Sequence, residues 1–367
     1  MPDLVAIAAP GGPLFVRELS AAWERGDAVL PVDPRLPLPA ARRLLAALRP
    51  SVLVDEAGDR QSLLDAAPTE VGDALVVASS GTTGEPKGVV LTMDAVRASA
   101  LATSARLDVD PARDTWLACL PLSHVGGLSV LTRALLTDTP VEVLPAFDPA
   151  TRATLVSVVR TLLTRHDLTR FRRVVLGGSA PPDALPDNVV TTYGMTETGS
   201  GVVYDGRPLD GVDVHVEPDG EIRVRGPMLL RAYRDGSDPK DADGWLSTGD
   251  LGFWTDDGRL QVHGRRGDLI ITGGENVWPE PVEAALRSHR GIADVGVAGA
   301  PDPEWGSRVV AYVVPRDPAS PPTLDAVRAH VKQELPAFCA PRELVLCETL
   351  PRTALGKLRR GELFTPR

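Results

Sequence analysis

Between Asp73 and about Tyr193 the hydrophobic positions fall into blocks of two kinds. Ala74–Ser80 is a short apolar run bounded by turn residues, the pattern of a buried strand, whereas Asp94–Arg106 repeats its apolar positions at helical spacing. The same distinction predicts a strand over Asp114–Leu120, a helix over Thr151–Thr164, and strands over Arg173–Leu176 and Val189–Thr192. Strands that alternate with helices predict α/β layering. After Gly201 short strands are separated by turn signals at Glu217-Pro218-Asp219-Gly220, Arg234-Asp235-Gly236 and Asp256-Asp257-Gly258, which predicts a β-rich subdomain. Beyond Gly267 the predicted order is a strand, a helix over Pro279–His289, strands around Val295 and over Val309–Val314, a Pro-rich link at Pro315–Pro322, a helix over Leu324–Leu335 and a terminal segment. The expected organisation is an N-terminal α/β domain over 1–267, its β-rich subdomain at about 201–267, and a small α+β domain over 268–367. No internal repeat interrupts this order.

Composition narrows the classes of function. The chain has 367 residues, 43% hydrophobic and 24% charged, enough to bury the core of more than one domain. Lys plus Arg number 39 against 49 for Asp plus Glu, a net charge of −10 with no basic stripe, which argues against a nucleic-acid partner. The three cysteines, Cys119, Cys339 and Cys347, have neither Cys-x-x-Cys spacing nor a nearby His, so neither a disulfide framework nor a structural zinc site is expected; a reducing cytoplasm fits. No cationic start precedes an apolar run at the N-terminus and no run of 18 apolar residues occurs, so neither export signal nor membrane span is expected. None of the six histidines has an evident partner in sequence, which leaves Ser/His/Asp and Cys/His triads without candidates.

Lysine is scarce. Only Lys87, Lys240, Lys332 and Lys357 occur among the 39 cations, so a lysine inside a motif raises a chemical question that a guanidinium would not answer. Lys87 closes the run Ser79-Ser80-Gly81-Thr82-Thr83-Gly84-Glu85-Pro86-Lys87-Gly88, which lies between two predicted strands. Glycines and hydroxyls at this density leave N–H and O–H donors free to surround phosphate oxygens, with Lys87 as counter-charge. Pro86 before the lysine and a strand after it exclude Walker A geometry. A glycine-rich hairpin turn is the structural alternative, though such a turn needs neither three hydroxyls nor a lysine.

With these residues the chain resembles the adenylate-forming enzymes: acyl- and aryl-CoA synthetases, peptide-synthetase adenylation domains and luciferase-like ligases. The match continues in the family's order through Leu176-Gly177-Gly178-Ser179-Ala180-Pro181, Thr192-Tyr193-Gly194-Met195-Thr196-Glu197, Ser247-Thr248-Gly249-Asp250, Gly264-Arg265-Arg266-Gly267-Asp268-Leu269-Ile270 with Gly273-Gly274-Glu275-Asn276, and Pro351-Arg352-Thr353-Ala354-Leu355-Gly356-Lys357. It runs from roughly residue 26 to the end. Each motif alone could be a surface carboxylate or a core aromatic; their joint order carries the resemblance.

The resemblance implies an acid joined to a thiol through an acyl-adenylate, with ATP, Mg²⁺ and coenzyme A as cofactor and co-substrates. Ser79 to Gly84 and Lys87 would hold phosphates, Gly177, Gly178 and Ser179 would flank adenine and substrate, and Thr192, Tyr193, Gly194 and Met195 would form the nucleotide signature. Thr196 would meet the phosphate that stays on AMP, and Glu197 would supply a hard oxygen to the metal. Asp250 and Arg265 would hold the ribose. Lys357 would neutralise charge as pyrophosphate leaves, and Asp268, beside the permissive Gly267, would be the hinge on which the C-terminal domain swings to present Gly273, Gly274 and Glu275 to the thiol.

The departure from the family pattern is length. Members usually carry a longer portion before the segment that here reads Gly26-Asp27-Ala28-Val29-Leu30-Pro31-Val32-Asp33-Pro34-Arg35-Leu36-Pro37, so much of one N-terminal layer is expected to be missing and the sheet count stays open. With Pro121-Leu122-Ser123-His124-Val125-Gly126-Gly127-Leu128 the chain looks most like the short o-succinylbenzoate–CoA ligases of menaquinone biosynthesis in actinobacteria. That acid has a second, aromatic carboxylate and a ketone, for which His124, Ser200 and Arg160 are candidate readers. With no carrier segment after Arg367, free coenzyme A is the expected acceptor; a homodimer is compatible with the sequence. The competing readings are another aryl- or acyl-CoA ligase, a non-catalytic protein that binds AMP or an adenylate, and a phosphotransferase, the last disfavoured by the missing Walker geometry.

Overall fold

The computed structural model describes residues 1–80, 86–182, 184–353 and 358–363, with the backbone alone at Ser80. The chain divides into two compact units, one of residues 1–214 and 224–247, the other of 215–223 and 248–367.

Two seven-stranded sheets build the first unit. One runs in the order Ala232–Tyr233, Pro86–Thr92, Asp73–Ser80, Ala28–Pro31, Leu4–Ile7, Val52–Val54, Arg60–Ser62. Four of these strands come from the first 62 residues, a stretch for which the hydrophobic pattern predicts no element above, and the fully buried Leu4–Ile7 strand lies between parallel neighbours. The other sheet runs Arg207–Pro208, Gly201–Tyr204, Val189–Gly194, Arg173–Leu176, Leu155–Val158, Trp116–Ala118, Val141–Val143. Helices Met93–Arg106 and Val125–Leu136 pack together, the first capped by the Thr92 hydroxyl accepting from the Ala95 N–H at 3.1 Å.

One expectation is corrected. Thr151–Thr164 is not a helix: Leu155–Val158 is a strand buried on both faces, flanked in parallel by Arg173–Leu176 and Trp116–Ala118, and only Arg160–Arg165 is helical. A parallel central strand is apolar throughout, so periodicity cannot separate it from a buried helix, and the tertiary ladder decides.

The second unit holds a five-stranded sheet of Glu275–Val277, Ile270–Thr272, Gly306–Pro315 and Ile292–Asp302, with Glu343–Leu346 on Gly306–Pro315. Helices Pro279–Arg287 and Leu324–Glu334 cover it, burying Val282, Leu286, Val327 and Val331. A four-stranded sheet comprises Asp213–Val216, Glu221–Arg225, Leu246–Trp254 and Leu260–Arg265. The molecule is therefore mixed α/β and α+β.

Candidate active site

In the first unit the signature segment folds back on itself for steric reasons. Thr192 Oγ1 donates to the Leu176 carbonyl at 3.2 Å, and a Cβ on Gly177 would stand 2.8 Å from that hydroxyl, so the turn at Gly177, Gly178 and Ser179 closes against the Val189–Gly194 strand. Gly178, at φ 84°, takes a conformation that side chains rarely adopt. A Cβ on Gly194 would lie 2.2 Å from the Ser200 carbonyl oxygen. The tight return runs through a single 3₁₀ turn, Thr196–Thr198, where Thr198 Oγ1 accepts from the Met195 N–H at 2.9 Å and donates to the Ser200 carbonyl at 2.6 Å.

Glu197 on that turn meets the Ala232–Tyr233 edge strand of the other sheet and the chain just before it. Its carbonyl accepts from the Leu230 N–H at 2.8 Å, and its Oε1 accepts from the Tyr233 hydroxyl at 3.0 Å. Tyr233 pairs with Val89 on the Pro86–Thr92 strand, and Lys87 Nζ stands 5.0 Å over the centre of the Tyr233 ring. Tyr233 thus connects Lys87 to Glu197, a role the sequence reading missed because it saw at this place only the turn Arg234-Asp235-Gly236. Ser79 pairs with Lys87 and Ser80 with Pro86, so the hydroxyl-rich run joins two antiparallel strands. Gly81, Thr82, Thr83 and Gly84 lie outside the described residues.

The three candidate readers of the acid differ in setting. Arg160 donates to the Ala180 carbonyl at 3.2 Å in a partly exposed position just past Gly177-Gly178-Ser179. His124 precedes helix Val125–Leu136; burial holds its imidazole below the ordinary value, with the Asp33 carboxylate pulling the other way. Ser200 is buried, and its hydroxyl accepts from Arg133 Nη2 at 3.3 Å.

Arg133 is the residue that sequence reasoning did not single out. It sits on helix Val125–Leu136 with only 2% of its surface exposed, its guanidinium 4.9 Å from the Trp116 ring centre. Among the described residues its Nε and Nη1 have no acceptor, nor has Trp116 Nε1. Burial pulls Arg133 below the usual guanidinium range, and no carboxylate opposes this. Arg133 lines a cavity between helices Met93–Arg106 and Val125–Leu136, together with Leu128, the hydroxyl residues Ser99, Ser129 and Thr132, and Gly199 of the signature turn. A buried cation in a mostly apolar lining, with no carboxylate among its described neighbours, is unfavourable unless an anion completes it. The sequence carried no signal for this, since the chain is rich in arginine and Arg133 stands in a helix between apolar residues.

In the second unit, Asp250 and Arg265 are cross-strand partners, with Arg265 Nε 2.9 Å from Asp250 Oδ1. Gly273 and Gly274, at φ 59° and 84°, form the two-residue turn between Ile270–Thr272 and Glu275–Val277, a geometry that requires positive φ at both positions. A Cβ on Gly273 would come within 2.6 Å of the Trp305 ring. Asp268 lies in a short 3₁₀ turn and is bound by Arg360 Nη1 at 3.0 Å. Lys357 lies outside the described residues. Of the other lysines, Lys240 is structural: its Nζ donates to the Leu230 and Arg231 carbonyls at 2.8 and 2.9 Å.

No group of three His, Cys, Asp or Glu able to hold a metal occurs among the described residues. Magnesium does not need one, because it is commonly held by one or two carboxylates and completes its shell with water and substrate phosphates. Glu197, a hard oxygen donor oriented by Tyr233, fits that requirement. Cys119 is no nucleophile, since burial pushes its thiol up to about 12.

A two-sheet α/β unit with a Thr-Glu turn beside a lysine-bearing hairpin, followed by a small α+β unit, is the architecture of an adenylate-forming enzyme. Residues 67–234 match the AMP-binding enzyme family and residues 281–357 the AMP-binding enzyme C-terminal domain. The chain is 39% identical over 364 residues to the probable 2-succinylbenzoate–CoA ligase of Mycobacterium tuberculosis, covering 89% of this chain and 94% of that protein. It is 35% identical over 358 residues to the 2-succinylbenzoate–CoA ligase of Bacillus cytotoxicus, covering 84% of this chain and 73% of the other. Among solved structures, o-succinylbenzoate CoA synthetase of Bacillus subtilis in complex with the acyl-adenylate intermediate OSB-AMP superposes with a TM-score of 0.87 at 28% identity, covering 100% of this chain and 88% of that one. ATP-bound MatB from Rhodopseudomonas palustris shares the fold, with a TM-score of 0.85 at 23% identity, over 99% of this chain and 88% of its own. The chain belongs to the AMP-binding, adenylate-forming enzyme family.

Proposed function

We propose that this protein is an ATP-dependent acid–thiol ligase that converts 2-succinylbenzoate to its coenzyme A thioester through an acyl-adenylate, which places it in menaquinone biosynthesis and in the cytoplasm. No helix among the described residues is long and apolar enough to cross a membrane. The observation that carries the choice of acid is Arg133: a buried guanidinium, bonded to Ser200 just after the signature turn and with two nitrogens that have no acceptor among the described residues, calls for a substrate with a second negative group. 2-Succinylbenzoate has one carboxylate to activate and another on its ring.

In the first half-reaction a carboxylate oxygen of the succinyl arm attacks the α-phosphorus of ATP; the new O–P bond forms as the bond to the β-phosphate oxygen breaks and pyrophosphate departs. The hydroxyl and glycine run from Ser79 to Gly84 holds phosphate oxygens with Lys87, Thr196 meets the α-phosphate, and Lys357 offsets charge in the transition state. Tyr193, Gly177, Gly178 and Ser179 border the adenine, and Asp250 with Arg265 binds the ribose. Glu197 would hold magnesium, which would supply charge neutralisation at the phosphates. His124, kept neutral by burial, faces the acid as a hydrogen-bonding group rather than a second cation. In the second half-reaction Asp268 acts as hinge, the Gly273-Gly274-Glu275 hairpin fronts the thiol, and the sulfur attacks the activated carbonyl. The C–S bond forms, AMP leaves with the C–O electron pair, and the thiol proton passes to solvent.

The test is direct. With ATP, Mg²⁺ and coenzyme A, pyrophosphate release must depend on added acid, and 2-succinylbenzoate must turn over faster than benzoate or a fatty acid. Faster turnover of either competitor removes the substrate assignment; pyrophosphate release with no acid dependence removes the ligase reading.

A further inference from the structure

The second unit contains a charge cluster around Arg360 of which the assigned roles use only Asp268, the hinge. Arg360, only 14% exposed, gathers acceptors from three separate segments: Asp268 Oδ2 at 3.0 Å, Glu280 Oε1 at 3.0 Å and Glu283 Oε1 at 2.9 Å on helix Pro279–Arg287, and the Val297 carbonyl at 3.2 Å. Arg287 holds the other oxygen of Glu283 at 3.2 Å. Glu280 remains raised above its usual range by burial despite Arg360, and Gly264 is packed so closely that a Cβ there would lie 2.8 Å from Glu280 Oε2.

The chain on either side of residues 353–357 is fixed at its base. Arg352 and Leu358 form an antiparallel bridge, the Arg359 N–H donates to the Pro351 carbonyl at 2.9 Å, and Arg352 grips Asp294 through two bonds of 2.6 and 3.0 Å. Leu358 packs over Gly296, where a Cβ would come within 2.8 Å of Leu358 Cδ2. Arg360 is the only guanidinium among the described residues that ties this base to Asp268 and helix Pro279–Arg287 together.

We infer that Arg360 is a positioning residue for adenylation: by pinning the chain just after Lys357 to Asp268, Glu280 and Glu283, it fixes the base from which the lysine is presented. The inference rests on the reading that Lys357 serves the first half-reaction and not the second. Arg360 touches no substrate and acts through the tail; the hinge turns on the φ/ψ of Asp268, so losing the partner of its carboxylate leaves the second half-reaction in place. Its fork geometry matters, because a single ammonium cannot reach three carboxylates and a carbonyl at once.

The experiment separates the half-reactions. Acid-dependent pyrophosphate release is measured for the parent, Arg360→Met and Arg360→Lys, alongside thioester formation from supplied synthetic 2-succinylbenzoyl-AMP plus coenzyme A. The expected result is a fall of about thirtyfold in adenylation for Arg360→Met, with thioester formation within about twofold of the parent and Arg360→Lys between the two. Circular dichroism checks folding, and Arg360→Lys carries the test if Arg360→Met does not fold. Equal losses in both half-reactions would mark a merely structural residue and overturn the inference, as would no loss in either. A parent that adenylates normally while the variants behave so overturns the inference alone; a parent with no acid-dependent pyrophosphate release overturns the ligase reading and the inference with it.

Discussion

Replacing Arg133 by Met should raise stability and lower activity at once, a pair of opposite signs that few substitutions produce. Among the described residues Arg133 Nε and Nη1 lack acceptors, and each such buried nitrogen costs about 1–3 kcal/mol. Against this stand the bond to Ser200, about 1.5–3 kcal/mol, and the contact with the Trp116 ring, about 1–2 kcal/mol. These terms nearly cancel; methionine keeps the length and the apolar packing and also removes the desolvation cost of the buried charge itself, so the folded state should gain about 1 kcal/mol, or about 2–4 °C in Tm for a unit of this size. The bound acid reverses the sign: loss of a buried, hydrogen-bonded charge partner for the ring carboxylate should cost about 3 kcal/mol, roughly 150-fold in kcat/KM. The assay compares 2-succinylbenzoate with 3-benzoylpropanoate, which keeps the ketone and the reacting carboxylate but lacks the ring carboxylate. Arg133→Met should lose activity on the first and keep it on the second. A lowered Tm with equal loss on both acids would show that Arg133 is an ordinary packing residue and refute the reasoning.

Three further outcomes follow from the geometry. Tyr233→Phe removes the hydroxyl that orients Glu197, so adenylation at limiting Mg²⁺ should slow about tenfold and recover as Mg²⁺ is raised; an unchanged Mg²⁺ profile would deny the link. Gly194→Ala places a methyl 2.2 Å from the Ser200 carbonyl, a backbone atom that cannot yield, and should cost about 2–3 kcal/mol in urea unfolding while disabling adenylation; a wild-type midpoint would contradict this. His124 is held below its ordinary value of 6.5, so above that pH both folded and unfolded chains are neutral there; as pH falls past it the unfolded chain takes the proton first, and folding stability drops. Tm measured from pH 7.5 to 5.5 should therefore fall less for His124→Asn than for the parent, and parallel curves would exclude the effect.

The family was readable because its motifs are particular residue types at fixed spacing in one stretch of chain: the hydroxyl and glycine run before Lys87, the Thr196-Glu197 pair, and two successive glycines where a hairpin demands positive φ twice. Helix Met93–Arg106 and strand Arg173–Leu176 were legible for the same reason, since their signals are local. What the tertiary structure alone decided are long-range matters. Leu155–Val158 became a strand because two parallel neighbours complete its ladder, Tyr233 reached Glu197 through an edge strand, and Arg360 found Asp268 across 92 residues. Arg133 shows the limit most clearly: in sequence it is one cation among 39, and only burial without a counter-charge gives it meaning. Desolvation is a property of the packed neighbourhood, and no window along the chain contains it.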